Sequence, residues 1–176
     1  MAGHSKWAKL KHQKAITDVR KAKVFSKLLR VISVEAKKAK GDRTAPSLRA
    51  AVDKARAANV PSDNIDRAID KATSSGGAEL EPVLYEAYGP GGVALIIDGY
   101  TDNRNRTAAE IKHLLSKHGC ALANPGAAIW AFTKTDEGYE PTTTVEISDE
   151  DGERLSALVD ALDDHDDVSE VYTNAA

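Results

Sequence analysis

The first residues of the chain, MAGHSKWAKLKHQKA, combine positive charge with aromatic rings. Lysines recur at every second or third position around Trp7, and a histidine lies on each side. Lysine ammonium groups neutralise phosphates without reading base edges, whereas a tryptophan or histidine ring can stack on an unpaired base. A solvated charged tail is the alternative, but the interleaving of cations with rings favours a nucleic-acid contact. The residues assigned to this contact are Gly3, His4, Ser5, Lys6, Trp7, Lys9, Lys11, His12 and Lys14.

Charge is distributed unevenly along the chain. The 176 residues carry a net charge of −3, yet residues 1–40 hold 12 Lys and Arg against 2 Asp and Glu. This head therefore carries +10 and the remainder of the chain −13. A basic head of this kind indicates contact with a polyanion at one end of the molecule. Lys21, Lys23 and Lys27 follow the arm and are expected to extend its positive field.

A second candidate site is the stretch TDNRNRT at 101–107. Arg104 and Arg106 follow Asn103 at a predicted junction between a strand and a helix, where free backbone donors and the helix dipole attract anions. The alternative is that Asp102 or Asn103 caps the helix while the arginines are solvated. The sequence leaves both interpretations open, and Asn103, Arg104 and Arg106 are retained as candidate nucleic-acid contacts.

The remaining suggestive patterns do not support catalysis. GPGG at 89–92 lacks the Lys-Ser/Thr of a phosphate loop and is predicted to be a hairpin turn. His113 and His118 are five positions apart and share a helix face poorly, and with Cys120 they fall short of the four ligands of a structural zinc site. The chain is therefore predicted to be non-enzymatic, with no metal, no cofactor and no small-molecule substrate.

The compartment is predicted from what the sequence lacks. No apolar run approaches the ~20 residues that span a bilayer, and the N-terminus has no apolar signal core. A single cysteine, Cys120, rules out an intramolecular disulfide framework and fits a reducing environment. We expect a cytoplasmic monomer without a membrane partner.

Helical spacing of apolar residues runs through the first part of the chain. One helix is predicted from Ile16 to near Gly41, a second from Pro46, and a third after Pro61. Three short helices of this kind can bury one small common core. SSGG at 74–77 is predicted to be a linker or helix stop.

After the glycines of SSGG, the sequence pattern predicts β-strands. VLYEAYG (83–89) and VALIIDGY (93–100) are predicted to form a β-hairpin, and helices are predicted to end at Gly119 and to begin at Ser148. Further strands are predicted at AAIWAF (127–132), TTVEI (143–147) and VSEVY (168–172). The predicted fold class is α+β. It comprises a basic three-helix domain over 1–77 and an acidic ferredoxin-like βαββαβ domain over 78–176, with an extra N-terminal hairpin strand.

Four stretches in order resemble the YebC/PmpR family. They are MAGHSKWAKLKHQKA, ARAANVPSDNIDRAI (55–69), LYEAYGPGGVALIIDGYTDNRNRTAAEIKHLLSKHG (84–119) and TTVEISDEDGERLSALVDALDDHDDVSEVYTNA (143–175). Together they cover nearly the whole chain. Members of that family carry an additional α+β domain between the strands predicted at 127–132 and 143–147, whereas only TKTDEGYEPT (133–142) joins them here. The chain thus looks like a short form that lacks this inserted domain.

The resemblance implies two kinds of function. Some members of the family are described as transcriptional regulators that bind promoter DNA, and others as ribosome-associated translation factors that help elongation through difficult sequences such as proline runs. No helix-turn-helix or zinc-finger spacing is apparent in the chain, which favours structured RNA. The leading expectation is a translation factor that binds ribosomal RNA or tRNA on the ribosome, and the alternative is a DNA-binding transcriptional regulator.

Trp7 distinguishes a stacking arm from a merely cationic one. If its ring stacks on an unpaired base, Trp7→Ala should weaken binding to ribosomal RNA by about 1–3 kcal/mol. The dependence of affinity on salt should stay the same, because no phosphate-neutralising charge is removed. A salt series of affinities for wild type and variant measures both quantities. Equal affinities across the series would leave charge as the only contribution of the arm.

Overall fold

The computed structural model describes residues 18–74, 79–136 and 138–176, with side chains from Lys21 onward. These residues divide into two compact units. A helical unit lies within residues 16–82 and includes 100–102, and an α/β unit comprises 83–99 and 103–176. The boundary predicted between residues 77 and 78, and most of the predicted SSGG linker, fall in 75–78, outside the described residues.

The helical unit contains the three predicted helices. They are α1 (Asp18–Lys38), α2 (Pro46–Ala57) and α3 (Ser62–Thr73). Helix α1 stops where Lys40 and Gly41 adopt positive φ angles of 51° and 83°, and the Gly41 amide donates to the Ala36 carbonyl at 2.9 Å. A glycine adopts this conformation without steric cost, which explains the predicted end of the helix.

One small apolar core holds the three helices together. Its buried residues come from all three helices and from Val60 before α3, and they are small or branched because the unit has few aromatic residues. They are Ile32, Ala36, Leu48, Ala51, Ala55, Val60, Ile65 and Ile69. The predicted three-helix arrangement with one shared core is confirmed.

The α/β unit is built on a four-stranded sheet. Its elements in chain order are β1 (Glu81–Tyr88), β2 (Ala94–Thr101), α4 (Arg104–Lys117), β3 (Ala121–Leu122), β4 (Phe132–Thr135), β5 (Gly138–Pro141), α5 (Asp149–Asp163) and β6 (Val168–Thr173). The sheet order is β3-β1-β2-β6, with β3 antiparallel to β1 and β6 antiparallel to β2. Strands β4 and β5 pair with each other in a separate hairpin.

Both faces of β2 are covered. Leu95 and Ile97 pack under α4 and α5 together with Ile111 and Leu158, whereas Ile96 faces a smaller core on the opposite side of the sheet. Such double coverage explains why β2 reads as a continuous apolar run rather than an alternating one. The smaller core is completed by the turn before β4 and by the β4–β5 hairpin.

The α+β class and both predicted helices of this unit are confirmed. Helix α5 has the predicted cap, since the Ser148 side chain accepts from the Asp151 amide at 3.1 Å. No helix among the described residues is both long and apolar enough to cross a membrane.

Two predicted strands are wrong. Residues 127–132 form a 3₁₀ turn at Ile129–Ala131, and a strand begins only at Phe132, because backbone donors of this loop bond to the Glu86 carboxylate instead of to a neighbouring strand. Residues 143–147 make one isolated bridge, between Val145 and Ala175. These residues do not pair with β2, because β2 is hydrogen-bonded to β1 on one side and to β6 on the other. The stretch 133–142, predicted only as a connection, supplies most of the β4–β5 hairpin.

Gly99 provides a test of the packing between β2 and β6. A Cβ atom at this position would lie 2.0 Å from the Asp167 carbonyl oxygen, which is backbone and cannot turn aside. We expect Gly99→Ala to lower the free energy of unfolding by about 3 kcal/mol. Gly92→Ala is the control, because its Cβ would meet no atom within 4 Å and only its positive φ of 77° opposes the change. Thermal unfolding of the two variants should show the larger loss for Gly99→Ala, and equal losses would contradict this packing.

Candidate nucleic-acid interface

Helix α1 carries a row of cationic residues on the side away from its main apolar face. Ile32 and Ala36 are fully buried in the helical core. Lys23, Lys27 and Arg30 recur at spacings of four and three, which places them on the face opposite that core. This face is covered in part, because Val34 on the same side is only 6% exposed and the Arg30 guanidinium donates to the Tyr100 carbonyl at 3.3 Å.

The three lysines predicted to extend the arm differ in exposure. Lys21 is exposed, whereas Lys23 and Lys27 are half-buried and each already interacts with a partner. Their aliphatic stems can therefore be covered while the ammonium groups remain near the surface. The arm residues Gly3, His4, Ser5, Lys6, Trp7, Lys9, Lys11, His12 and Lys14 lie outside the described residues.

The helical unit is positive beyond α1. Residues 18–74 contain 14 Lys and Arg against 7 Asp and Glu, a net charge of +7. Several of the acids are paired at the surface, with Arg43 contacting Asp66 at 2.5 Å and Asp70 at 3.5 Å. Exposed pairs of this kind contribute little stability, but they remove the Arg43 charge from the field that a phosphate would meet.

Helices α2 and α3 are joined by a short turn of the length found in helix-turn-helix proteins. The turn comprises residues 58–61, with Asn59 at a φ of 63°. In a DNA-reading motif the second helix enters the major groove. Here that helix exposes charges of both signs, with three aspartates, Asp63, Asp66 and Asp70, against Arg67 and Lys71.

The start of α4 is capped by Asn103, which is one of the two roles that the sequence left open. The Asn103 side chain accepts from the Arg106 amide at 3.1 Å and so caps the helix. The Arg106 guanidinium donates to Asp167 Oδ2 at 2.8 Å, and the Thr107 hydroxyl donates to the same oxygen at 2.6 Å. Asn103 and Arg106 are thus engaged within the α/β unit. Arg104 is exposed, and its role as a phosphate contact remains a prediction.

A cluster of ionisable side chains lies next to this cap. Ligand atoms of Glu110, His165 and Asp167 are within 4.8 Å of one another, the kind of grouping that can hold a metal ion. The Asp167 amide, however, can only donate, and it donates to His165 Nδ1 at 3.1 Å. A neutral His165 ring therefore carries its proton on Nε2, which lies 2.8 Å from the Glu110 carboxylate. With both ring nitrogens used and Asp167 bound to Arg106, the cluster is arranged to fasten α4 to the segment before β6.

A buried carboxylate organises the loop before β4. Glu86 is 6% exposed, and its two oxygens accept from the amides of Gly126, Ala128 and Ile129 at 2.7, 2.7 and 2.9 Å. Burial by itself would raise the pKa of this carboxyl group, but the three backbone donors outweigh burial and lower the pKa below its ordinary value. Sequence reasoning missed this contact, and the only signal was a glutamate inside an otherwise apolar strand.

Comparison with known proteins covers both units. Residues 5–75 match the family model described as "TACO1/YebC protein N-terminal domain", and residues 80–137 and 133–175 match "TACO1/YebC second and third domain". The chain belongs to the TACO1/YebC family. The two matched segments of the second model meet at 133–137, in the β4–β5 hairpin, where the sequence suggested that a domain is missing.

Relatives in the TACO1/YebC family align along the whole chain. A "Probable transcriptional regulatory protein" from Thermosipho africanus is 37% identical over 235 positions, which cover 99% of this chain and 93% of the relative. A protein of the same name from Carboxydothermus hydrogenoformans is 38% identical, with 99% and 98% covered. The first alignment has 59 more positions than this chain has residues, so this member is a short form.

A solved structure supports the same assignment to the TACO1/YebC family. The crystal structure of a conserved hypothetical protein from Aquifex aeolicus superposes with a TM-score of 0.85. It is 30% identical in sequence, and the match covers 98% of this chain and 97% of that protein.

The Glu86 contact predicts a specific dependence of stability on pH. Because the folded-state pKa of Glu86 is lowered, its contribution is complete above the ordinary carboxyl pKa of about 4.3 and disappears as pH falls through the folded-state value. Glu86→Gln should lower the free energy of unfolding at pH 7 by about 1–3 kcal/mol, since an amide cannot satisfy all three donors.

Urea unfolding at several pH values measures this effect. The difference between wild type and Glu86→Gln should shrink as pH falls below about 4. Glu146→Gln is the control, because Glu146 is exposed, and it should change stability little at any pH. A Glu86→Gln loss that is the same at pH 3 and pH 7 would show that the charge of Glu86 does not matter.

Proposed function

We propose that this chain is a non-enzymatic regulator that binds nucleic acid through the basic helical unit and its N-terminal arm. The observation that carries the proposal is the net charge of +7 on residues 18–74, with Lys21 exposed at the start of α1 directly after the basic arm. Cationic side chains that neutralise phosphates release counterions and so favour binding. Residues 83–176, with 18 Asp and Glu against 6 Lys and Arg, would repel the same polyanion.

The first candidate target is duplex DNA, with a role in regulating transcription. The relatives from Thermosipho africanus and Carboxydothermus hydrogenoformans are both named as probable transcriptional regulatory proteins, and the chain is 37–38% identical to them. Lysine contacts to phosphate position a protein on DNA without reading the sequence. Selectivity would then come from the shape and deformability of the DNA or from the arm.

The second candidate is a ribosome-associated translation factor that assists elongation through difficult sequences such as proline runs. The charge of α3 favours it, because three aspartates, Asp63, Asp66 and Asp70, outnumber the two cations of that helix, whereas a helix in the major groove lies close to phosphates. Structured RNA is recognised through phosphates, shape and stacking on unpaired bases, which needs no such helix. The chain would then act at ribosomal RNA or tRNA.

Removing charge from α1 tests the proposal. The variant Lys21→Gln/Lys23→Gln/Lys27→Gln should bind duplex DNA and ribosomal RNA more weakly than wild type. If the three lysines contact phosphates, the slope of log affinity against log salt should be less steep by roughly 2–3. Lys71→Gln on α3 is the control, because Lys71 is exposed beside acidic residues, and it should leave affinity and slope unchanged.

The outcomes separate the candidates. Tighter binding to promoter-length duplex DNA than to ribosomes in matched salt supports the transcriptional candidate, whereas co-sedimentation with ribosomes in sucrose gradients supports the translational one. If the triple variant equals wild type on both targets at every salt concentration, the face of α1 is not the binding surface.

A further inference from the structure

One face of the sheet changes from apolar to acidic along β2 and β6. In the antiparallel register of these strands, Ile96 lies opposite Tyr172 and Asp98 lies opposite Glu170. Ile96 and Tyr172 belong to the smaller core, on the side of the sheet away from α4 and α5. Because residues two apart on a strand share a face, Asp98 and Glu170 continue this side of the sheet beyond that core.

The acid pair, Asp98 and Glu170, places two carboxylates side by side. Residues directly opposite each other in an antiparallel pair have Cβ atoms only about 4.5–5.5 Å apart, and like charges at such positions repel. Both side chains are half-buried, so solvent and salt screen this repulsion less than they would at an exposed surface. Each of the two residues interacts with a partner. A cation seated between them would be attracted by both carboxylates.

The neighbouring strand adds an apolar side chain to the same face. Leu84 and Glu86 are two apart on β1, and the Glu86 carboxylate accepts from the loop amides on the side of the smaller core. Leu84 is therefore on that side too, and it is 40% exposed. Since β1 lies next to β2, this face presents an exposed apolar side chain together with the acid pair. A segment that fits it has cations interleaved with apolar side chains.

The N-terminal arm has such a sequence and is attached within reach. The Arg30 guanidinium of α1 donates to the carbonyl of Tyr100, which follows Asp98 by two residues in β2. Helix α1 begins at Asp18, about 18 Å along its axis from Arg30. The chain between Lys6 and Asp18 can span up to about 40 Å when it is extended. The arm lysines can therefore reach the acid pair.

We propose that the N-terminal arm docks on this face of the sheet, with an arm lysine between Asp98 and Glu170 and Trp7 or Leu10 against Leu84. The local charge of the acid pair selects a cationic segment, and the attachment point of the arm selects this one. Docking regulates binding, because a nucleic acid must displace the acid pair before it engages the arm. The inference rests on the proposed function, since it concerns the same arm.

Cross-linking of the full chain tests the contact without nucleic acid. A carbodiimide joins a lysine amine to a carboxylate only where the two are in direct contact. We expect cross-links from Lys6, Lys9, Lys11 or Lys14 to Asp98 or Glu170, identified by mass spectrometry after digestion, and fewer of them in high salt. Cross-links from these lysines only to other carboxylates, or none at all, would overturn the inference and leave the proposed function standing.

Neutralising the acid pair tests the regulation. Asp98→Asn/Glu170→Gln should bind duplex DNA or ribosomal RNA about 3- to 30-fold more tightly than wild type, because the arm is no longer withheld from the target. Glu150→Gln/Glu153→Gln is the matched control, since it removes the same charge from exposed positions on α5, which packs on the opposite face of the sheet. Equal gains in affinity for the two double variants would show that only total charge matters and would contradict the docking.

The remaining outcomes are also decisive. If neither wild type nor any variant binds nucleic acid, the proposed function is wrong, and the cross-links alone decide whether the arm docks. If thermal unfolding shows that Asp98→Asn/Glu170→Gln is destabilised, Asp98→Asn alone takes its place, and an affinity equal to that of wild type would contradict the regulation. If cross-links to the acid pair form only between two molecules, as an isotope-mixing experiment would show, the surface joins copies of this chain and the proposal is wrong.

Discussion

The helical unit carries a net positive charge and the α/β unit a net negative charge, and this difference determines which unit would attract a polyanion. The described helical residues carry +7 while residues 83–176 carry −12, so the overall charge of −3 describes neither surface. A phosphate backbone within a Debye length of about 8–10 Å responds to the local charge rather than to the total. Under the proposed function, a polyanion would therefore meet the helical unit rather than the α/β unit.

Within the acidic unit, one carboxylate has a role beyond stability. Glu86 fixes the loop before β4 and so determines where Trp130 and the Ala127 carbonyl lie. The β4–β5 hairpin follows directly, and it is the place where the two matched segments of the family meet. The chain crosses this point by a tight hairpin, and a Cβ at Gly138 would lie 2.2 Å from the Tyr172 hydroxyl, so that side chain would have to shift. The short form thus has a hairpin packed on β6 at the position where the sequence suggested that a domain is missing.

Local signals in the sequence predicted the parts of the fold that depend on local interactions. Pro46 and Gly41 marked helix ends, and Ser148 marked a cap that the structure contains. The failures lie where hydrogen bonds join distant residues. The conformation of the loop at 126–129 depends on Glu86, about forty positions earlier in the chain. Residues 143–147 are not a strand of the sheet, in which β2 pairs with β1 and β6. No periodicity within these segments reports such contacts.

The same distinction applies to the candidate site. The cationic face of α1 was visible as a pattern, whereas the engagement of Arg106 depends on Asp167, which lies 61 residues away. The role of Asn103 as a cap was one of two interpretations, and the structure contains that cap. Trp130 was expected within a strand, so its exposure could be recognised only in three dimensions.

The central claim is that nucleic acid contacts the helical unit and not the acidic one. Hydrogen exchange of the full chain, measured by mass spectrometry with and without a saturating duplex DNA or ribosomal RNA fragment, tests it most directly. The account predicts slower exchange in peptides from the arm and α1, with no slowing in peptides from residues 83–99 and 107–176. Protection confined to the α/β unit, with the arm and α1 unaffected, would contradict it.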